Sequence, residues 1–583
     1  MPPVPVAPSK PEQAPARGKF VPTSFKDGVT PQEHQVSAVK KLFSNGGKIV
    51  LTAPPGSGKT LTAILGQEAL KDAGRSSRAL VIVPSGLRSN FAQDGIQKFT
   101  NATYQIIGGG DESRTMPGVT SVPLLMNNKD YTIVSYEMFK RAPEEIIARS
   151  GADTLICDEY HKARNEATGL FKTLARVRGQ FKNFMGITAS PVNNDVSELA
   201  SLLSLSEGKR IATPAQFKQA FTETVGFSSG FSGGKVKERG LKNTQQLMEL
   251  IYPKMDYLTY DQLKGDKVMP RKEIRNVEVP MTQQQWDLYQ LALDRLGPEK
   301  EQILRGDPNV SLKDAKIMFV RMAQARQVAN SVGRGVRDIN PEASSQLTPK
   351  AMRIVADTEQ HLSQDPKNSV VLYSNLVNGG VDVLLAGLRK KGIDPAIFIG
   401  KGAEVDGQSI TSNIREKGLQ EYKDGKKRVI VLSGAGAEGL DLRNSTAFFA
   451  YDGHFNPERI LQAEARARRL GGQEFRAPEK RVVDVRRYMS VAPPNAQQTE
   501  TGGFFSSMFR GDSGPKPAPF TTDQWMYRVA GKKFGKTQQL YDALKQPYKY
   551  IRKYPAADGT MRYVYPDKDG NAVVSAIPPP AKY

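Results

Sequence analysis

Lys48-Ile-Val-Leu-Thr-Ala-Pro-Pro-Gly-Ser-Gly-Lys-Thr-Leu61 carries an apolar, β-branched run into a loop of prolines and glycines that ends in Lys59 and Thr60. The run Lys48–Thr52 has the composition of a strand and Thr60–Leu70 that of a helix, so the loop sits at a strand-to-helix turn. There Gly56 and Gly58 let backbone N–H groups turn inward around phosphate oxygens, with Pro55 and Ser57 completing the loop. Lys59 can reach the outer phosphates, and the Thr60 hydroxyl can hold Mg²⁺. The expected ligands are ATP and Mg²⁺. The motif starts at Ala53, where the generic pattern has Gly.

Further along, Thr154-Leu-Ile-Cys-Asp-Glu-Tyr-His161 places two carboxylates at the end of a second apolar run. ATP hydrolysis needs both, because a hard cation takes oxygen ligands and in-line displacement needs a base opposite the leaving group. Asp158 is expected to hold Mg²⁺ through its water shell, and Glu159 to orient and deprotonate the attacking water. His161 is expected to link this site to the next motif.

Working outward, 82 Lys and Arg stand against 60 Asp and Glu, a formal charge of +22 that implies a polyanion partner, nucleic acid above all. Cys157 is the single cysteine, which excludes an intrachain disulfide, and the histidines His34, His161, His361 and His454 have no metal-ligand spacing. No apolar run approaches the roughly 18 residues that span a bilayer, and the N-terminus is proline-rich rather than signal-like. The expectation is a soluble intracellular protein of the cytoplasm or nucleus, or of a host cell or virion if viral, with no membrane partner.

The pattern of short β-branched runs sets the fold class. Lys48–Thr52, Ala79–Val83, Tyr131–Ser135, Thr154–Cys157 and Phe184–Ile187 alternate with helix-compatible stretches, as do Ser369–Tyr373, Ala396–Ile399, Arg428–Leu432, Ala447–Tyr451 and Val482–Arg486. Such alternation predicts an α/β protein of two tandem lobes, each a parallel sheet flanked by helices. The predicted organisation is a Pro-rich disordered arm over 1–27, a first lobe over 28–205, and a helical inter-lobe region over 206–345 broken by the glycine-rich stretch Gly226–Gly234. A second lobe over 346–490, a flexible linker over 491–520 and a tail over 521–583 follow. In the inter-lobe region Thr282 with Gln285 predicts a capping box, and Trp286, Tyr289, Leu293 and Leu296 a core-facing stripe. The tail reads as an amphipathic helix, Thr521–Lys545, then a basic, aromatic hairpin around Asp558-Gly559 that could stack on bases, grip phosphates or pack on a lobe.

Taken together, these motifs resemble a superfamily-2 helicase with a DEYH form of its acidic box, which implies RecA-like lobes. Thr30-Pro-Gln-Glu-His-Gln35 resembles the upstream glutamine motif, in which Gln35 would read the adenine edge. Gly186-Ile-Thr-Ala-Ser-Pro191 resembles the coupling motif, implying that role for Thr188 and Ser190 beside His161. Val81-Ile-Val-Pro84 and Ile133-Val-Ser-Tyr136 resemble strand ends that lie along a nucleic-acid backbone. Pro84, Ser135, Ser374 and Ser433 are the backbone contacts so implied.

The second lobe narrows the resemblance to the Swi/Snf-type translocase branch: Val431-Leu-Ser-Gly-Ala-Gly-Ala-Glu-Gly-Leu-Asp-Leu442, Tyr451-Asp-Gly-His-Phe-Asn-Pro457 and Gln462-Ala-Glu-Ala-Arg-Ala-Arg-Arg-Leu-Gly471 follow in the family's order. The resemblance places Gln462, Arg466 and Arg469 on one helix face, makes Arg466 and Arg469 arginine fingers on the γ-phosphate, and lets Gly439 and Asp441 sense the nucleotide. Three positions depart from it. Asp256-Tyr257 stands where paired arginines are frequent, Arg468 where His is, and Gly472 where Gln is. The implied function is an ATP-dependent motor on nucleic acid, with duplex DNA the expected partner and a transcription, replication or virion complex a setting that would suit the tail. A strand-separating DNA or RNA helicase and a catalytically idle nucleic-acid-binding factor are the alternatives, and the oligomeric state stays open, a monomer included.

Overall fold

The computed structural model describes residues 21–108, 129–226, 236–259, 262–263, 269–296, 299–307, 318, 320–332, 347–400, 402–405, 407–434, 440–454, 457–469, 471–496, 518–557, 559–566 and 572–575. The chain forms two compact units, one of residues 1–265 with 536–583 and one of 266–535.

The first unit is built on seven parallel strands: β1 (Lys48–Thr52), β2 (Ala79–Val83), β3 (Tyr104–Ile106), β4 (Tyr131–Ser135), β5 (Thr154–Asp158), β6 (Asn183–Thr188) and, beyond the antiparallel pair β7 (Thr222–Gly226) and β8 (Val236–Leu241), β9 (Met255–Tyr257). Their order is β3-β4-β2-β5-β6-β1-β9. Every residue of β2 and β4 is buried because both sheet faces carry a core. Val50, Leu80 and Ile82 enter one apolar cluster while Ile49, Leu51, Val81 and Val83 enter the other, the period-two alternation of a strand covered on both sides.

The second unit repeats the plan with β10 (Arg271–Pro280), β11 (Val370–Ser374), β12 (Ala396–Phe398), the short pair β13 (Glu404–Val405) and β14 (Gln408–Ser409), β15 (Val429–Ser433), β16 (Ala447–Ala450) and β17 (Val482–Val491). The six-stranded sheet runs β10-β17-β16-β11-β15-β12, all parallel. A separate cluster gathers Trp286, Tyr289, Leu293 and Leu296 with Trp525, Met526 and Val529, so the predicted stripe is core. The helix Thr522–Lys545 runs unbroken through Gly531 and Gly535; Leu540, Ala543 and Leu544 near its end belong to the core of the first unit. Three strands follow in the first unit: β18 (Lys553–Pro555), β19 (Met561–Pro566) and β20 (Ala572–Ser575).

Four expectations need correction. The stretch 206–345 is not helical throughout, since β9 extends the first sheet and β10 the edge of the second. Residues 21–27, predicted as part of a disordered arm, pack on the first unit: Phe25 is buried and bridges Thr100, and the Thr23 and Ser24 hydroxyls donate to Asp72 and Glu68. The capping box at Thr282 is half made. Thr282 Oγ1 accepts from the Gln285 amide, but the Gln285 side chain turns inward and donates to the Val328 carbonyl at 2.9 Å. The terminal hairpin gains a third strand, β20. The glycine-rich stretch beyond Gly226, residues 1–20 of the arm, and 497–517 of the linker lie outside the described residues.

Two groups in the second unit yield stability predictions. Lys350 Nζ donates to Asp523 Oδ2 at 2.6 Å with both side chains 1% exposed, and the Ser490 amide also donates to that carboxylate. Asp523→Ala would strand a buried cation and is expected to destabilise the protein by about 3–5 kcal/mol in urea unfolding, with Lys350→Met on the same background restoring much of the loss. His361 Nε2 lies 2.8 Å from Thr446 Oγ1, whose proton goes to the Ser369 carbonyl, so Nε2 is the donor. Burial is the main cause that lowers its pKa from 6.5 to about 4. A depressed folded pKa favours the native state above the unfolded value and loses that contribution on acidification. Stability is therefore expected to fall between pH 6.5 and about 4, and less steeply in His361→Gln, as thermal melts across that range would read.

Candidate nucleotide site

Parallel strands end on one edge of a sheet, and here that edge gathers the chemistry. In register, Thr52 of β1 pairs with Thr188 of β6, and Asp158 of β5 with Ile187. The loop after β1, the acidic pair after β5 and Thr188–Ser190 after β6 therefore emerge side by side, where α/β sheets bind ligands. Gly56 and Gly58 adopt φ of +80° and +83°, a conformation side chains oppose, and Gly58 leads into the helix Lys59–Asp72. Lys59 Nζ donates to the Ala53 and Pro54 carbonyls at 2.7 and 3.0 Å, so its ammonium is held over the loop. The Ser57 and Thr52 hydroxyls are buried and have no hydrogen-bond partner among the described residues. A glycine loop in the left-handed region, a poised cation and an unmatched buried Ser57 hydroxyl fit a triphosphate.

Glu159 sits in the left-handed region, φ 50° and ψ 46°, an uncommon conformation for a non-glycine residue. Its amide donates to Asp158 Oδ1 at 2.9 Å, and Tyr136 Oη donates to the Asp158 carbonyl, pinning the turn. His161 Nδ1 lies 3.3 Å from Glu159 Oε2 and 3.2 Å from Thr188 Oγ1, which in turn accepts from the Ser190 amide. A polar chain thus runs from the acidic box to the residues after β6. Tyr160 of the box is a core residue: its ring lies where a Cβ at Gly186 would stand, 2.4 Å away, and its hydroxyl donates to the Leu202 carbonyl.

Gln35 is buried, with Oε1 accepting from the Gln32 amide and Nε2 3.4 Å from the Gly58 carbonyl; His34 Nε2 lies 3.1 Å from the Ser57 carbonyl. The glutamine motif braces the phosphate loop from behind. Beside it is a group that motif reading passed over. Lys41 Nζ donates to the Met255 carbonyl at 2.6 Å, stands 4.0 Å from Asp256 and lies 3.7 Å above the Tyr252 ring. Burial pushes the Lys41 pKa down to about 8 and the Asp256 carboxyl up. Asp256 and Tyr257, the departure from the paired arginines, are strand residues of β9, with Tyr257 stacked on Tyr541.

In the second unit, Asp441 is held by Arg443 and lies 3.8 Å from Arg469 Nε. Burial raises its pKa, but the Arg443 hydrogen bond and the two guanidinium charges hold it below the ordinary carboxylate value. Arg469 Nη2 donates to the Leu440 carbonyl at 2.6 Å. Arg466 is half-buried near the end of the helix Pro457–Ala467, its Nε without a partner among the described residues, and Gln462 lies one turn earlier; Arg469 falls past the end of that helix, so the expected shared helix face holds for Gln462 and Arg466 alone. Gly439 lies outside the described residues. The remaining departures have local reasons: a Cβ at Gly472 would stand 2.4 Å from the Arg443 carbonyl, and Arg468 Nε donates to the Pro270 carbonyl.

The four residues expected along a nucleic-acid backbone are all buried. Ser135 Oγ caps the helix Tyr136–Arg141, Ser374 Oγ donates to Asp452, Ser433 is 3% exposed, and Pro84 is closed in at the end of β2. The Ser135 and Ser374 hydroxyls thus serve the fold, while the buried Ser433 hydroxyl has no partner among the described residues.

Comparison with known proteins matches two successive parts of the chain. Residues 32–333 match the SNF2-related domain and residues 354–471 the helicase conserved C-terminal domain. The chain is 24% identical over 474 residues to a protein of Acanthamoeba polyphaga mimivirus, L538, named provisionally as an ATP-dependent RNA helicase, covering 80% of this chain and 90% of that one. It is 21% identical to the ATP-dependent helicase YqhH of Bacillus subtilis, covering 76% and 73%, and 25% identical to the ATP-dependent DNA helicase DDM1 of Arabidopsis thaliana, covering 76% and 57%. A solved structure of the Sulfolobus solfataricus SWI2/SNF2 ATPase core in complex with dsDNA is 18% identical, with 81% of this chain and 90% of that one covered at a TM-score of 0.36.

Proposed function

We propose, from the premise that this chain belongs to the SNF2-related family, that it is an ATP-hydrolysing motor that couples turnover to movement along duplex DNA. The observation that carries this reading is the shared edge of β1, β5 and β6, where the phosphate loop, Asp158-Glu159 and the His161–Thr188 contact stand together. The loop amides and Lys59 bind the triphosphate. Thr60 and Asp158 are the residues that would hold Mg²⁺, which when bound neutralises phosphate charge. Glu159 takes the proton of the attacking water, and its contact with His161 passes the state of that carboxylate to Thr188 and Ser190. In this reading Arg466 and Arg469 are arginine fingers that counter the charge developing on the transferring phosphoryl group.

The charge of +22 supports a polyanion track, and attraction by charge makes binding insensitive to sequence and sensitive to salt. Comparing stimulation of the ATPase by duplex DNA, single-stranded DNA and RNA tests the substrate: duplex DNA is expected to stimulate most. Greater stimulation by RNA would move the chain to the RNA helicases, and no stimulation by any of the three would leave a nucleic-acid-binding factor.

A further inference from the structure

We propose that the sheet β18–β20 is a platform for single-stranded DNA, with Tyr563 and Tyr565 each stacking one base and Lys553 meeting the phosphate between them. Strand alternation divides this small sheet into two unlike faces. On one, Tyr554 and Val564 are each 3% exposed and belong to the core of the first unit, Tyr554 edge-on to Tyr252 with ring centres 5.9 Å apart. On the other, the register sets Lys553 directly across from Tyr563, and Ser575 across on its far side. Tyr565 lies two residues along the same strand, across from Val573, so the two tyrosines share this face with their Cα atoms about 7 Å apart by strand rise. Lys553 is exposed, Met561 at the end of the row is 37% exposed, and both tyrosines keep part of their surface in solvent.

Charge identifies the occupant. From Lys545 to Ser575, the end of the sheet, the sequence has six basic residues, Lys545, Lys549, Arg552, Lys553, Arg562 and Lys568, against three acids, Asp558, Asp567 and Asp569, a net charge of +3. A basic surface with paired rings complements a polyanion that also offers flat apolar groups. A duplex keeps its bases paired and presents only phosphate, whereas an unpaired strand can use the rings as well. The choice of DNA over RNA rests on the proposed function; the platform itself does not. A strand held here would give the motor a grip that needs no nucleotide.

The test is fluorescence anisotropy of a labelled oligothymidine without ATP, using the full chain and its Tyr563→Ala, Tyr565→Ala, Tyr563→Phe and Lys553→Ala variants, each checked for an unchanged thermal melt. Each alanine in place of a ring is expected to weaken binding by about fivefold or more, Tyr563→Phe to bind as the parent does, and Lys553→Ala to lower the salt slope by about one. Unchanged affinity in both tyrosine-to-alanine variants, or a phenylalanine variant as weak as the alanine one, overturns the platform. Oligouridine bound as tightly as oligothymidine overturns the choice of DNA. Duplex-stimulated ATPase, measured on the same samples, is expected to persist in every variant; its absence from the parent chain would sink the motor reading and leave the oligothymidine result to stand or fall separately.

Discussion

Glu159→Gln is expected to lower ATP turnover by about 10²–10⁴-fold while ATP still binds, whereas Lys59→Ala is expected to lose turnover and binding together. The difference follows from position. Glu159 stands at the end of β5 in a strained left-handed turn pinned by Asp158 and Tyr136, contacts that involve backbone and neighbours rather than its own carboxylate. Gln keeps the shape and the polar contact toward His161 and removes only the basic oxygen. Lys59 heads the helix Lys59–Asp72 and stands over the loop, so its loss removes the ammonium fixed above the cradle. Steady-state turnover beside binding of a fluorescent ATP analogue separates the two. A Glu159→Gln enzyme that turns over at the parent rate would remove Glu159 from the role of base.

The second large effect is expected at Arg466 and Arg469. Replacing either with Ala is expected to lower kcat by about 10³-fold, with KM for ATP moving far less, because an arginine finger acts on charge that exists only in the transition state. Lys should not rescue, since a point charge cannot reproduce the planar fork. The surroundings sharpen the expectation for Arg469, which is tied to the Leu440 carbonyl and close to Asp441. Its removal also releases Asp441 to Arg443 alone. Single-turnover rates, with unfolding midpoints as a control, check both residues. Full activity in the Lys variants would assign the two positions to local structure instead.

Much of this was legible because parallel strands buried on both faces are written as continuous apolar runs. All ten predicted strands fall within two residues of observed ones at either end, except that β17 extends past Arg486 to Val491. What escaped reading has physical causes. β9 is three residues long, too short to show a period, and β10 is an edge strand whose Arg271, Lys272, Glu273 and Arg275 hide its character. The order of motifs located the acidic box, but not the left-handed turn at Glu159 or the brace that His34 and Gln35 form behind the loop. Lys41 and Asp256, separated widely in sequence, carry no local signal of their meeting. Ser135 and Ser374 show the converse: matching strand ends suggested surface contacts, and burial gave their hydroxyls to a helix cap and to Asp452.

Movement along duplex DNA is the central claim, and triplex displacement measures it most directly. With ATP, the parent chain is expected to strip a third strand from a duplex without separating the duplex itself, and Glu159→Gln to strip none. A parent chain that hydrolyses ATP on DNA yet leaves the triplex intact, or that displaces it only by unwinding the duplex beneath, would contradict the account.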